Sequence, residues 1–431
     1  MALLKLGSTN PKLSFILSKN PQTIRFSGEA FTRTLRKGNL YGWFSKADDS
    51  EFKLFFKDSD TECSFVSGLD ANFEYLDKTR YTHPFCYMSM VTTALASALK
   101  VQHEFDTEDY LSHLILQVDI SNRAIAAAFA KHFTEYVITI TPISGGLHNV
   151  VISGKSVQGI LNLMIVFCLV QCLYDRNTYL PLEGEAVNSY LRALNRCDAP
   201  YFIRYLFSKT VFRDFNTFNK YKKQIQLPNT DMNYGDTRRH RFTAVTKELT
   251  GGTSLLDIGC GDELFYTKRM AKNYDDVYSF DADEYITENN AAKVKAWQLT
   301  NVSALGAMTP EYVEFNPEMF EGADVLLTEV IEHMPMEDAK NLISAILKTN
   351  FKTFLVTTPN RDFNVNYLMS YDEMRHDDHK WEMSLGEFEI FINALAFDVS
   401  VEVGQYEITG IGDSVNDVPT SLMVVFKKGT K

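Results

Sequence analysis

The sequence lacks CxxC cysteine pairs and an apolar run of membrane-spanning length, and its first residues do not support a signal peptide. Its six cysteines are scattered and form no CxxC pair, which argues against a zinc ribbon or a disulfide scaffold. Such thiols are typical of a reducing compartment, so we expect a cytoplasmic protein without a signal peptide. The longest apolar run, residues 160–173, falls short of the ~20 residues of a transmembrane helix. We therefore expect a buried core helix there and no membrane partner.

The sequence also has fewer basic than acidic residues. The 431 residues include 43 Lys and Arg against 55 Asp and Glu, a net charge of −12, which argues against a protein that coats nucleic acid. The imbalance is local, because residues 1–240 carry a net charge of +4 and residues 241–431 carry −16. This step in charge indicates two units, in line with the chain length.

The pattern of elements also changes along the chain. Residues 1–225 alternate β-rich segments with helices, including a helical stretch near 184–207, and predict an α+β domain. Residues 226–240 lie in a polar, basic stretch and are expected to form a linker. Residues 241–431 hold short apolar strands separated by helical segments, which predicts an α/β domain with a doubly wound parallel sheet. The strands are expected at 254–258, 277–280, 325–327 and 353–357.

A glycine-rich motif follows the first of these strands. It reads Asp257-Ile258-Gly259-Cys260-Gly261, and its two glycines would let the backbone approach a ligand closely. Asp281 ends the next strand, where a carboxylate can accept hydrogen bonds from both hydroxyls of a ribose. We expect Asp257, Gly259, Gly261 and Asp281 to bind a cofactor.

A dinucleotide dehydrogenase is the competing interpretation of this motif. That class requires a third glycine where this sequence has Leu264, and the acidic Asp262 and Glu263 would repel a pyrophosphate. S-adenosylmethionine has no phosphate and carries a sulfonium cation, which suits acidic surroundings. The motif therefore resembles that of class I (Rossmann-like) S-adenosylmethionine-dependent methyltransferases, which implies a methyltransferase domain of that fold.

Residues of the types that commonly bind metal ions follow the third predicted strand. Glu329, Glu332 and His333 lie where open α/β sheets place their sites, and His379 lies beyond the fourth strand. Carboxylates with imidazoles suit Mn²⁺, Fe²⁺ or Zn²⁺, whereas Mg²⁺ more often takes oxygen ligands alone. His376 is the weaker candidate, because it could orient a neighbour instead. Two alternatives are a histidine that acts as a base without metal, and a cluster with no catalytic role.

Three blocks together resemble one family, the Hua-enhancer-type RNA 3′-terminal ribose 2′-O-methyltransferases. The blocks are residues 329–334, 358–364 and 375–379. The resemblance implies transfer of a methyl group to the 2′-OH of the last RNA nucleotide, with Mn²⁺ or Mg²⁺ bound to both terminal hydroxyls. It implies that the metal ligands are Glu329, Glu332, His333 and His379. In this mechanism His333 or His379 would accept the hydroxyl proton.

The same resemblance extends to the substrate and to a partner. It implies that Thr358, Pro359 and Asn360 lie beside the terminal nucleotide and that Arg241 faces the ligands. Residues 1–225 look more loosely like the bacterial branch, whose N-terminal domain stimulates a polynucleotide kinase-phosphatase-ligase in RNA repair. Cleaved tRNA is the substrate that this branch implies.

One departure concerns the segment after the second histidine. The family continues with Phe-Glu-Trp-Thr-Arg, whereas this chain has Trp381-Glu382-Met383-Ser384-Leu385, so a basic residue is missing. Two other functions remain open at this point. One is a metal-independent small-molecule O-methyltransferase, and the other is a chiefly non-catalytic protein that activates a ligase.

Overall fold

The chain folds into two compact units. In the computed structural model they are Met1–Ile225, here called unit 1, and Gln226–Lys431, here called unit 2. The structure describes residues 2–22, 31–35, 38–45, 48–58, 65–67, 74–76, 79–175, 180, 184–249, 251–367, 369, 373–400 and 406–428.

Unit 1 is built on a seven-stranded antiparallel sheet. Its strands run in the order β2-β3-β4-β1-β7-β9-β8, and β5 and β6 form a separate pair. Alternate residues of β9 are buried, which places one sheet face against helices. The strands are β1 (Ala2–Ser8), β2 (Phe31–Leu35), β3 (Gly38–Phe44), β4 (Glu51–Asp58), β5 (Phe65–Ser67), β6 (Glu74–Leu76), β7 (Ser112–Asp119), β8 (Val137–Ser144) and β9 (Leu147–Gly154).

Nine helices of unit 1 lie within the described residues. They are α1 (Leu13–Ile16), α2 (Thr79–Thr82), α3 (Pro84–Ala94), α4 (Ala96–Lys100), α5 (Arg123–His132), α6 (Val157–Tyr174), α7 (Glu185–Arg196), α8 (Tyr201–Val211) and α9 (Phe215–Ile225). The helix predicted near 184–207 is two helices, α7 and α8. Pro200 separates them, because proline disfavours helical backbone in the residue before it.

Helix α6 is the core helix of unit 1. The run that the sequence placed below membrane-spanning length belongs to an 18-residue helix that is long and apolar enough to cross a membrane. Because 83% of this helix is buried inside the protein, the predicted core helix is confirmed. Its first turn is held by Asp106, whose carboxylate accepts hydrogen bonds from the backbone N–H groups of Val157 and Gln158. A carboxylate at a helix N-terminus satisfies unpaired N–H groups and interacts favourably with the helix dipole.

Arg204 on α8 joins the ends of three helices. It is only 1% exposed and donates hydrogen bonds to the carbonyls of Leu194, Ala199 and Ile225, and to Asn195 Oδ1. Burial is the main reason that its pKa falls to about 10. Arg204 is therefore a structural residue, although in the sequence it begins the basic, polar stretch of residues 204–241.

Unit 2 contains an eight-stranded mixed sheet in the order β10-β16-β17-β15-β14-β11-β12-β13. The five strands β11–β15 are parallel, as predicted, and the hairpin β16–β17 adds to β15 in antiparallel fashion. The strands are β10 (Thr230–Asp231), β11 (Gly252–Ile258), β12 (Tyr274–Phe280), β13 (Val302–Leu305), β14 (Asp324–Thr328), β15 (Thr353–Pro359), β16 (Tyr406–Val415) and β17 (Val418–Lys427).

Helices cover both faces of this sheet. Leu256 and Val325 pack into one buried cluster, and their neighbours Leu255 and Leu326 pack into another on the opposite face. The helices are α10 (Thr237–Glu248), α11 (Phe265–Met270), α12 (Glu284–Ala296), α13 (Pro310–Phe315), α14 (Met336–Leu347) and α15 (Leu385–Asp398). Short 3₁₀ helices lie at Ala271–Asn273, Pro317–Phe320, Ile331–His333 and Arg361–Tyr367.

The expected linker, residues 226–240, is folded into unit 2. Within it, Thr230 and Asp231 pair with Val415 and Ser414 as strand β10. Helix α10 then begins at Thr237, with the side chain of Asp236 accepting a hydrogen bond from Arg239 N at 2.9 Å. An Asp at this position is a strong helix N-cap, which the polar composition concealed.

Candidate active site

The glycine motif forms a tight turn after β11. Gly259 and Gly261 have φ angles of +71° and +63°, which residues with a side chain rarely adopt. A Cβ on Gly259 would lie 2.3 Å from Cγ2 of Val330, whereas a Cβ on Gly261 would have no neighbour within 4 Å. Gly259 is thus required by packing, and Gly261 borders open space.

Two carboxylates brace this turn. Asp257 Oδ2 accepts hydrogen bonds from Thr267 N at 3.1 Å and from Thr267 Oγ1 at 2.7 Å. Complete burial raises the pKa of Asp257 to about 6 in spite of these bonds. Asp281 is partly exposed and accepts hydrogen bonds from Gly261 N at 2.9 Å and Asp283 N at 3.0 Å. Each oxygen of Asp281 retains a lone pair for a ligand hydroxyl.

The second half of the site begins where β14 ends. Glu329 has a φ of +54°, an unusual conformation for a side-chain-bearing residue, and its carboxylate contacts two partners. Arg241 Nη1 lies 3.1 Å from Glu329 Oε2, and Thr357 Oγ1 donates to Oε1 at 3.0 Å. Arg241 therefore lies beside Glu329, its described ion-pair partner, and its expected contact with the ligands stays a prediction.

Glu332, His333 and His379 come together as a possible metal site. One ligand atom from each residue lies within 4.8 Å of the others. Glu332 is fully buried; Thr358 Oγ1 donates to its Oε2 at 3.1 Å, and its Oε1 has no hydrogen-bond partner among the described residues. The structure thus groups three of the four predicted ligands, while Glu329 lies outside the group.

Both histidines are oriented through Nδ1. The Nδ1 of His379 lies 2.5 Å from Glu382 Oε1, and the Nδ1 of His333 lies 3.1 Å from Asp378 Oδ2. This arrangement leaves the Nε2 atom of each ring for another partner, and a carboxylate on the far nitrogen is the usual support of a metal-binding histidine. Asp378, the residue next to His379 in the sequence, thus pairs with His333.

Glu382 is the supporting residue whose role the sequence did not predict. Asn364 Nδ2 donates to it at 2.6 Å and Arg375 N at 2.8 Å, in addition to the contact with His379. Burial acts to raise the pKa of Glu382, but the hydrogen bonds from His379, Asn364 and Arg375 outweigh it and hold the pKa at about 2. The carboxylate is therefore ionised at neutral pH. The sequence feature that could have identified Glu382 as the partner of His379 is its position three residues later.

The charges in the cluster favour a cation. Burial, reinforced by nearby Glu329, raises the pKa of Glu332 well above its usual range. Burial and the adjacent His379 lower the pKa of His333. A neutral imidazole is the form that binds a metal, and a buried carboxylate is stable as an anion only beside positive charge. The donor set and the unpartnered oxygen of Glu332 fit a divalent cation.

The residues expected beside the substrate are engaged within the protein. Thr358 donates to Glu332, and Asn360 Nδ2 donates to the carbonyl of Pro419 at 2.9 Å. Pro359 ends β15 opposite Ser421. These contacts attach the β16–β17 hairpin to the site, and the expected contact with a terminal nucleotide stays a prediction.

The strand order and the acidic-x-Gly-x-Gly turn define unit 2 as a class I methyltransferase fold, as the sequence predicted. Unit 1 supplies the second step of the identification. The family model of the Hen1 N-terminal domain matches residues 3–230, more than half of the chain. The chain therefore belongs to the Hen1 family, which confirms the resemblance found in the sequence.

Curated relatives and a solved structure show similarity of different extents. A small RNA 2′-O-methyltransferase of Caenorhabditis elegans is 34% identical over 91 residues, 21% of this chain and 20% of that protein. One from Tetrahymena thermophila is 26% identical over 219 residues, 45% of this chain and 50% of that protein. The chain thus spans no more than half the length of these relatives. A chain of the Pnkp1/Rnl/Hen1 RNA repair complex is 24% identical with a TM-score of 0.80, covering 99% of this chain and 100% of that one, so the two share a fold.

Proposed function

We propose that the chain transfers a methyl group from S-adenosylmethionine to the 2′-OH of the 3′-terminal nucleotide of RNA, with the help of a divalent cation. The observation that carries the proposal is the packing of the glycine turn against Val330, in the segment that leads into the cluster of Glu332, His333 and His379. Gly259 touches Val330, which lies two residues before Glu332. A cofactor on the turn and a metal at the cluster would therefore be neighbours.

The glycine turn provides the surroundings for the methyl donor. The open space at Gly261 admits a ligand close to the backbone, and the adjacent Asp281 accepts hydrogen bonds from ribose hydroxyls. No Lys or Arg occurs from Asp257 to Asp262, so a sulfonium cation meets no like charge from the turn itself. S-adenosylmethionine, when bound, supplies the methyl group.

The cluster of Glu332, His333 and His379 provides the surroundings for the ribose hydroxyl group that is methylated. Glu332, His333 and His379 would hold the cation, which when bound lowers the pKa of a coordinated ribose hydroxyl. Arg241 fixes Glu329 at the rim, so that this carboxylate can face the same ligand. His333 or His379 would accept the departing proton, directly or through water, at a ring nitrogen that does not hold the cation. Glu382 holds the His379 ring in one orientation.

A methyl-transfer assay on short RNAs tests this function. We expect transfer to an RNA with a 2′-OH and a 3′-OH at its last nucleotide, stimulation by Mn²⁺ or Mg²⁺, and loss with a chelator. A 2′-deoxy or 3′-phosphate end should be inactive, because only a terminal ribose offers both hydroxyls. Activity on the 3′-phosphate RNA would contradict the two-hydroxyl arrangement, and activity in chelator would favour a metal-independent base.

A matched pair of histidine variants tests the ligands. We expect His379→Ala to abolish methyl transfer while S-adenosylmethionine binding is retained, because His379 belongs to the cluster and the glycine turn is separate. His376→Ala is the control, since its ring lies 5.1 Å from His379 but outside the cluster. Full activity of the His379 variant would exclude this ligand set.

We also propose that the chain acts in RNA repair with a polynucleotide kinase-phosphatase-ligase. The support is the fold shared over the whole length with a chain of the Pnkp1/Rnl/Hen1 RNA repair complex. The full-length His379→Ala variant separates the two roles: it should stimulate RNA sealing by such a ligase without methylating the product. If wild type and variant both leave sealing unchanged, the partner role is wrong and the methyl transfer still stands on its own assay.

A further inference from the structure

A polar groove lies within unit 1, between helices α7 and α9. Its volume is about 620 Å³, and apart from Leu191 its lining is polar. The polar lining residues are Glu185, Asn188, Arg192, Asn195, Arg196 and Gln224. Amide and guanidinium groups thus predominate over the single carboxylate of Glu185.

The α7 wall of the groove is one continuous helix face. Asn188, Arg192 and Asn195 are spaced by four and three residues, which places them on one side of the helix. Arg192 is partly exposed, and Asn195 and Arg196 are exposed. The opposite side of α7 carries Tyr190 and Leu194 into the core. The wall is therefore rigid and presents donor groups to solvent.

The α9 wall extends the positive charge. Lys220 is exposed and lies one helical turn before Gln224, on the same face. Helix α9 also contains Lys222 and Lys223 and has no acidic residue over its length. The groove is therefore flanked by cations on both helices, within a unit that is positively charged although the whole chain is acidic.

Buried Arg204 orients one of the amides. Its Nη1 donates to Asn195 Oδ1 at 2.7 Å, so the amide oxygen is fixed towards the interior. The Nδ2 group of Asn195 is then left as a donor for a ligand in the groove. Arg196 is also held in place, because its Nη2 donates to the carbonyl of Lys100 at 3.2 Å.

We propose that this groove binds the ribose-phosphate backbone of single-stranded RNA. Arginine and lysine side chains pair with phosphates, and amide groups match ribose hydroxyls and base edges. The carboxylates of an acidic peptide would pair with the cationic side chains but would give the amide groups of Asn188, Asn195 and Gln224 no specific hydrogen-bond partner. RNA is therefore the better fit. This site is separate from the proposed methyl-transfer site, and its occupation does not depend on methylation.

Binding of a labelled single-stranded RNA to the full-length chain tests the proposal. The RNA carries a 3′-terminal phosphate and the buffer contains EDTA, so that binding of the RNA end in unit 2 does not contribute. We expect Arg192→Glu to weaken binding about fivefold or more at low salt and to lower the slope of log K against log salt by about one. Lys131→Glu, at an exposed position of helix α5 in the same unit, is the matched control with the same change in net charge.

The outcomes separate the alternatives. Arg192→Gln serves if the charge reversal disturbs folding, and it should also weaken RNA binding more than Lys131→Gln does. Equal affinities of the Arg192 and Lys131 variants would overturn the proposal. If the Arg192 variants lose affinity for polyglutamate and not for RNA, the groove binds acidic proteins and the RNA assignment is wrong.

Discussion

At the scale of single residues, the orientation of His379 depends on Glu382. The short contact between His379 Nδ1 and Glu382 Oε1 is itself supported by Asn364 and by the backbone of Arg375. The guanidinium of Arg375 closes the network, since Nε donates to Asn364 Oδ1 at 2.7 Å. His379 is thus positioned by a chain of buried contacts.

Glu382→Gln should weaken Mn²⁺ binding by about 10–100-fold, because an amide holds the His379 ring less firmly and makes it less basic. Isothermal titration calorimetry with Mn²⁺ measures this directly. Glu387→Gln is the control, since Glu387 pairs with Arg361 at 2.7 Å and does not contact either histidine among the described residues. Equal Mn²⁺ affinity in the two variants would show that Glu382 has no part in the site.

Asp257 should make the stability of unit 2 depend on pH. Burial raises its folded-state pKa to about 6, above the unfolded value of about 3.9, so its ionisation opposes folding as the pH rises through this window. Asp257→Asn removes this cost, and its free energy of unfolding relative to wild type should increase by about 2 kcal/mol between pH 4 and pH 7.5.

Denaturant unfolding followed by tryptophan fluorescence checks this, because Trp297 and Trp381 both lie in unit 2. Asp276→Asn, at an exposed position of β12, serves as the comparison. A pH-independent difference between Asp257→Asn and wild type would show that the carboxyl group titrates normally.

At the scale of elements, the two glycines of the turn should respond differently to substitution. Gly259→Ala places a methyl group against Val330 at a positive φ, so we expect loss of stability. Gly261→Ala has the same backbone strain but no collision, and its methyl group would enter the open space of the proposed cofactor site.

Thermal melts and S-adenosylmethionine titrations of both variants separate these effects. Gly259→Ala should have the lower melting temperature, and Gly261→Ala should lose more affinity relative to its loss of stability. The reverse order of melting temperatures would mean that the contact between Gly259 and Val330 can relax without cost.

The hydrogen bonds that buried Arg204 donates should be essential for the packing of helices α7, α8 and α9 in unit 1. Arg204→Met removes the guanidinium donor of the Ala199 and Ile225 carbonyls, while the Leu194 carbonyl keeps its bond from Ala199 N, and should lower the free energy of unfolding by about 3 kcal/mol. Urea unfolding followed by circular dichroism measures the change. Lys223→Met, at an exposed position of α9, should change stability by less than about 0.5 kcal/mol.

The sequence predicted elements and motifs better than their connections. The parallel strands follow from short apolar runs, and the cluster of Glu332, His333 and His379 follows from the family motif. The hairpin β16–β17 was missed, as was its attachment through Asn360. The capping carboxylate of Asp236 and the buried Arg204 were both read as part of a polar, basic stretch. Residue type alone does not distinguish a charged group that ends or joins helices from one that faces solvent.

At the scale of the whole molecule, the two units carry opposite charge. Residues 226–240 contain two basic and two acidic residues, so moving the boundary to the one observed leaves unit 1 at +4 and unit 2 at −16. An acidic unit that recognises an RNA end through a cation makes few phosphate contacts. The affinity that comes from binding the RNA end through the cation would therefore depend little on counterion release.

Methylation of a very short RNA should accordingly depend weakly on salt. We expect kcat/KM for a trinucleotide to change by less than about threefold between 50 and 200 mM salt, at a fixed and saturating metal concentration. The same series with a longer RNA reports any contribution from additional phosphate contacts. A steep dependence for the trinucleotide would place phosphate contacts on unit 2 itself.

The candidate ligands come from segments that are far apart along the chain. His379 lies 46 residues after His333, and the two segments are joined by a hydrogen bond from Lys380 N to the carbonyl of Glu332 at 2.8 Å and by another from Trp381 Nε1 to the carbonyl of Met334 at 2.8 Å. An unfolded chain therefore holds no such site, and a cation that binds there selects the native state. Each tenfold excess of cation over its dissociation constant would then add about 1.4 kcal/mol to the stability of unit 2, and metal supply would set part of that stability.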